Sequence, residues 1–510
     1  MDVEHRYYGE RPKSGAEHDE QPTDQQRLEV AIARRSACAA SALVATQVGA
    51  AGGPPASKDL LAARLVQAAL GVSGPNGASE PAGRATRQVG GLAIPEGLNG
   101  DVWAHEGFAY VGTWSGPCPG TGVKVIDATN PAQPEPAATL GSYANTSDED
   151  VEVVSVTTPA FSGDLLATGL QDCGLEGEVS GKTGVDPWDV TDASNPSHLG
   201  FFDTGAFGTH EVSLTQQPSG RVFALAAVPF SEITSGGTVG DFQLIEVTDP
   251  RNPVRTDDWG AAKDGGLPFG SPLFGLPAPF DCTPPVGAPD LWRGHFPAVF
   301  GHSASPSADG STAYVAYWDA GGIIVDISNP DDVRMVGRTV YPPDSEGDTH
   351  STMPNGNSSL LVTTDEDFSP GELVAAGEPK EPGDTWGFAR IWGISDPANP
   401  VHLSDFATPH SLTNNTSGFY SAHNPQIRGD RLYLSWYSDG LRIVDISNPA
   451  QPREVAFYRP KPTLDPTGVF ANFGPGGAHP IPFVWGAYPS GGQIYLSDIN
   501  FGLYIVEQTR

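Results

Sequence analysis

Four histidines stand in comparable short segments of the chain: His210 in GTHEV, His302 in FGHSAS, His350 in DTHSTM and His423 in SAHNP. Each lies at the head of a short apolar run, so each is expected at the start of a strand. Four neutral imidazoles brought to one point make a ligand set for a transition metal, with Zn, Fe or Cu as the candidates. Glu211, Asp150 and Asp348 are placed to orient such ligands from a second row. Asp101, Asp150 and Trp485 occupy the corresponding slot where no histidine stands. The same pattern also reads as a polar channel lining, with the imidazoles bonded to water and backbone. The acidic run TTDED (363–367) lacks a partner for acid–base work and reads as solvated. No GxSxG, HExxH, P-loop or dinucleotide fingerprint stands in a supporting context.

Residues this far apart meet only if a repeated element carries them. The repeat is plain in GVKVIDATNPAQP (122–134), GIIVDISNP (322–330) and GLRIVDISNPAQP (440–452). Weaker copies are PWDVTDASNP (187–196), FQLIEVTDPRNP (242–253), ARIWGISDPANP (389–400) and GLYIVEQTR (502–510). Each copy is the third of four short apolar runs, preceded by segments such as AYVAYWD (313–319) and followed by segments such as VRMVGRTVY (333–341). Four antiparallel strands in each of seven units give an all-β, seven-bladed β-propeller. The last unit stops after its third strand. RQVGGLAIP (87–95) patterns like a fourth strand, so this N-terminal strand is expected to complete the last blade and close the ring. Trp318, Trp436, Tyr317 and Tyr437 alternate along second strands and read as packing between blades. Asp319, Asp365, Asp439 and Asp498 end second strands and read as turn residues.

These units resemble the LVIVD repeat, found in bacterial and archaeal proteins, many of them predicted to be secreted or surface-located. The resemblance rests on (L/I)xIVD(I/V)S(N/D)PxxP, is best at 322–330 and 440–452, and covers roughly residues 84–510. Gly393 replaces the motif Asp in one copy, and Glu246 and Glu507 replace it in two others. The resemblance implies a β-propeller and assigns no activity.

Long insertions fall at about 115–121, 171–184, 229–240, 261–301, 368–387 and 459–483, all on the face where first strands begin. Binding residues concentrate on loops carried by a rigid scaffold, so this is the expected functional face. Cys118 and Cys173 lie in corresponding loops of adjacent blades, either as a disulfide or as two unrelated thiols. Cys282 has no evident partner.

The chain of 510 residues carries 28 Lys and Arg against 61 Asp and Glu, a net charge of −33. That balance repels phosphate backbones and anionic membranes and sets nucleic-acid binding aside. No apolar stretch is long enough to span a bilayer. Residues 1–83 differ from the rest: 1–29 are polar, Arg34 and Arg35 precede the small apolar run 36–50, and 57–70 reads as one helix. This is either an export leader or a flexible Ala-rich one. The first functional reading is an extracellular or cell-surface monomer that binds a ligand or surface protein on its insertion-bearing face. The alternative is a metal-dependent oxidoreductase or hydrolase with a four-histidine centre at the channel mouth.

Overall fold

The repeat signature is a strand terminator, and its hydrogen bonds account for its composition. Asp127 accepts from the Thr129 backbone N–H at 2.9 Å and from its hydroxyl at 2.6 Å. Asp445 accepts from Ser447 in the same two ways at 3.0 and 2.7 Å, which pushes its carboxyl down to about 2. These side-chain turns swing the chain off the sheet. The Asn–Pro pair then makes a second turn: the carbonyls of Asn130 and Asn448 accept from Gln133 and Gln451. Each copy but the last therefore ends a third strand and returns the chain as a fourth.

The computed structural model describes residues 82–114, 120–172, 181–205, 207–267, 299–341, 347–367, 385–413, 418–463 and 480–509. Residues 1–81 of the expected leader, with the helix at 57–70, and Cys118, Cys173 and Cys282 lie outside these residues, whereas its last two, 82 and 83, belong to a strand. The strands form seven antiparallel sheets. First strands of consecutive blades adjoin one another around the ring, and Val484–Ser490 of blade 7 adjoins Leu98–His105 of blade 1. This is the seven-bladed propeller expected from the repeats. No helix among the described residues is long and apolar enough to cross a membrane.

Closure follows the expected route and adds one feature. Thr86–Ala93 pairs antiparallel with the last strand, Gly502–Gln508, from Thr86 opposite Gln508 to Ala93 opposite Gly502. Just ahead of it, Ala82–Arg84 pairs with Arg453–Arg459 and gives blade 6 a fifth strand. Ala85, at φ 51°, turns the chain between the two sheets. One N-terminal segment thus stitches blade 6 to blade 7. Blade 2 also departs from four strands: Thr146–Ser147 adds to it, and its outer strand is split into Ser197–His198 and Phe202–Asp203. The split falls at Gly200, where a Cβ would lie 2.4 Å from the Pro250 carbonyl oxygen in the blade 3 turn.

The core lies between blades rather than within them. Phe223, Leu225, Phe242 and Trp259 of blade 3 pack with Val315, Tyr317 and Ile323 of blade 4. Tyr317 and Trp436 are fully buried in such interfaces, as their strand positions imply. Tyr437 is likewise buried between blades 6 and 7, whereas Trp318 is partly exposed.

Candidate metal centre

The first strands of blades 4 and 5 each carry an extra residue. Gly301 faces Tyr317 and Ser303 faces Ala316, which leaves His302 between the pairs. Thr349 faces Asp365 and Ser351 faces Thr364, which leaves His350 in the same position. A β-bulge re-aims the side chain of its extra residue, here toward the channel. Blade 7 has the same slip at Trp485, and blade 1 has one that carries Asp101. His210 and His423 lie just ahead of the first strands of blades 3 and 6, Glu211–Gln216 and Pro425–Arg428.

The four rings follow one another around the channel in blade order. Ring centroids are 4.2 Å apart for His210–His302, 3.9 Å for His302–His350 and 4.0 Å for His350–His423. All four are buried. Trp485 continues the arc at 4.5 Å from His423. Its indole N–H donates to Glu149 Oε1 at 3.0 Å, and Glu149 Oε2 lies 3.1 Å from His210 Nδ1, which completes the circle.

Their tautomers can be read from what stands behind them. His423 Nδ1 is 2.7 Å from the Trp485 carbonyl oxygen, so it carries the proton and donates. His210 Nδ1 faces Gln171 Oε1 at 3.0 Å as well as the Glu149 carboxylate, so it too donates. His350 Nδ1 lies 2.7 Å from Ser351 Oγ. That hydroxyl contacts Asn424 Oδ1, and Asn424 Nδ2 lies 2.7 Å from Asp101 Oδ2, so His350 is backed by a chain of polar groups. In His210 and His423, with the proton on Nδ1, Nε2 is left with its lone pair. His302 Nε2 lies 2.9 Å from His210 Nε2, and His302 Nδ1 looks toward Glu211 Oε1 at 3.8 Å. His302 Nδ1, His423 Nε2 and Glu211 Oε1 have no hydrogen-bond partner among the described residues.

In two sets the ligand atoms all lie within 4.8 Å of one another: His210 with Glu211 and His302, and His302 with His350 and Glu366. Two nitrogens on a tetrahedral zinc, each about 2.1 Å from it, stand about 3.4 Å apart, so a metal there would replace the 2.9 Å His210–His302 contact with a slightly wider pair. Burial, followed by the neighbouring imidazoles, holds His302 and His350 well below the ordinary histidine range, and burial takes His423 down to about 3. These three imidazoles are thus neutral, as ligands must be. Acids surround them. Burial and neighbouring carboxyls push Asp101 and Glu211 well up, and burial does the same to Glu149. Glu366 Oε2 lies 3.6 Å from His350 Nε2 and its Oε1 accepts from the Tyr437 hydroxyl. A cation at the centre would compensate this ring of carboxyls.

Residues matched by the profile of the LVIVD repeat are 96–139, 301–339 and 421–459. The chain carries LVIVD repeats. These three LVIVD segments coincide with blades 1, 4 and 6, and contain Asp101, His302 and His423. No curated protein matches the chain. Among solved structures, the β-propeller domain of Cps50 (Swd1) from Myceliophteria thermophila aligns with 83% of this chain and 100% of its own, at 11% identity and a TM-score of 0.46.

Of the residues singled out from the LVIVD repeats and their neighbours, the structure brings His210, His302, His350 and His423 into one cluster, with Glu211 facing His302. Asp150 spends its oxygens on the backbone N–H groups of Val151 and Val212, at 2.8 and 2.7 Å, and so fixes strand ends. Asp348 sits at φ 50°, where its carbonyl accepts from the Glu366 N–H. The TTDED run is not solvated: Asp365, Glu366 and Asp367 are buried, because Arg390 reaches Asp365 and Tyr437 reaches Glu366. Tyr437 packs between blades as expected, against Phe483 and Trp485 of blade 7 at 4.7 and 5.3 Å, and also lies 5.0 Å from His423, whereas Trp318 is partly exposed and lies 5.4 Å from His302. Glu149, Ser351 and Asn424 were not singled out. Glu149 and Asn424 adjoin slot residues Asp150 and His423 in sequence, and that adjacency was the available signal.

Proposed function

We propose that this LVIVD-repeat propeller is a metal-dependent oxidoreductase or hydrolase, its transition metal held by His210, His302, His350 and His423 at the channel mouth. One observation carries the reading: two of the four rings, His210 and His423, set Nδ1–H against a fixed acceptor oxygen behind them, which leaves Nε2 its lone pair, and His350 Nδ1 is backed by Ser351. Ordered backing of that kind is how proteins aim imidazole ligands and set their tautomer. A lining that only bonded to mobile water would not require the same nitrogen to face inward in separate blades. A bound metal would supply Lewis-acid polarisation of a substrate or water oxygen, or one-electron chemistry if it is iron or copper. The chain's own contribution is to hold four buried imidazoles in register and to exclude bulk water from them.

Metal analysis of protein purified without a histidine tag tests this. Close to one Zn, Fe or Cu per chain is expected, falling to background in a His302→Gln, His350→Gln double variant. Wild-type protein that retains no metal after incubation with each ion would refute it. We also place the protein outside the cytoplasm, on the paired Arg34 and Arg35 before the apolar run 36–50. Fractionation of the native cells checks this, and a purely cytoplasmic pool would contradict it.

A further inference from the structure

We infer that the centre acts on a planar aromatic molecule without negative charge, admitted between blades 3 and 4 along a shelf of aromatic rings that ends at His302. The inference takes its chemistry from the metal-centre reading, whereas binding to the shelf does not depend on it. Trp318 lies 5.4 Å from His302, and Phe300 stacks on Trp318 at 5.0 Å with planes 19° apart. Phe230 follows on Phe300 at 4.6 Å, and Phe207 meets Phe230 edge-on at 6.5 Å. The four rings come from separate segments: ahead of the first strands of blades 3 and 4, and after their second strands. Four loops thus contribute to one continuous apolar surface.

Three features distinguish this shelf from ordinary packing. All four rings are partly exposed, whereas the rings on the opposite side of the cluster, Tyr437, Phe483 and Trp485, are buried. The shelf is therefore the side on which apolar surface leads from solvent to an imidazole. Phe230 is held at φ 64° and ψ 11°, a left-handed conformation that bulky residues rarely adopt. Such outliers persist where the surrounding structure imposes them, and they cluster at ligand sites. The charge of the chain also selects: at −33 it opposes an anionic ligand on approach. A flat neutral or cationic ring matches stacked aromatic faces on so acidic a chain.

Calorimetric titration of the purified full chain with indole, phenol, benzylamine, benzoate and cyclohexanol tests the inference. Indole, phenol and benzylamine are expected to bind, benzoate at least tenfold more weakly, and cyclohexanol not measurably. Trp318→Ala and Phe300→Ala should each raise Kd tenfold or more while metal content stays at the wild-type level. Trp318→Leu, which keeps apolar bulk and removes the aromatic face, should weaken binding likewise and guards against misfolding of the smaller variant. Unchanged affinities in the folded variants, or benzoate or cyclohexanol binding as tightly as indole, would overturn the inference. Metal content read on the same samples separates the two readings: aromatic binding by metal-free wild type removes the metal centre and keeps the shelf. A metal-loaded chain indifferent to every aromatic does the reverse.

Discussion

His423 shows what burial does to a group that would otherwise titrate near neutrality. Its Nδ1 is committed to a carbonyl, its Nε2 has no partner among the described residues, and its pKa falls to about 3. In metal-free protein the folded state binds fewer protons than the unfolded chain, whose histidines titrate near about 6.5. The stability linked to these rings is therefore full above about 6.5 and is lost as pH falls from there toward 3. His302 and His350 act in the same direction. The carboxyls oppose them: Asp150, raised to about 6, contributes stability at low pH that is lost as pH rises through that value. A His302→Gln, His350→Gln variant should thus lose less stability than wild type between about pH 6.5 and pH 4. Urea unfolding at each pH measures this, and equal slopes for the two proteins would show that these imidazoles are not depressed. Burial is the larger cause of the depression and repulsion between rings the smaller.

Among the elements, the N-terminal strand is the one whose removal has the clearest consequence. Without Thr86–Ala93, the strand Gly502–Gln508 becomes an open edge with unpaired N–H and carbonyl groups. A chain starting at residue 96 should melt well below one starting at 82 and aggregate on heating. Indistinguishable melting and solubility would mean that the ring does not need this strand. The pairing was legible because RQVGGLAIP repeats the pattern of other fourth strands. Ala82–Arg84 was not, since three residues carry no pattern and their partner is an outer strand with one side open. The bulges were illegible for a different reason. FGHSAS and DTHSTM alternate identically whether or not the register slips by one, so the sequence marks His302 and His350 as strand-opening residues without giving their final aim. Glu149 and Glu366 escaped because nothing local separates a buried carboxyl from a solvated one. Only the aromatic partners Trp485 and Tyr437, far away in sequence, tell them apart.

For the whole molecule, seven repeats arranged in a circle put residues of blades 3 to 6 side by side and leave the carboxyls of the remaining arc to face them. Fold was the most legible level, since a repeat states its own architecture several times over. The centre was legible only as a coincidence of positions, because a channel-facing residue is defined by ring geometry that no single blade contains.

The closing strand also sets a clock. Arg87 and its partner Glu507 are 420 residues apart, so the strand leaves the ribosome long before the residues it pairs with. At about 5–20 residues per second, the wait is roughly 20–80 seconds. Throughout it, earlier blades can fold in order while this early strand waits for its place, and contacts of such long sequence separation form slowly. A translating chain is thus an open arc whose two future neighbours are both unpaired. An interrupted one never becomes anything else, which leaves a permanent handle for chaperones and proteases on unfinished copies.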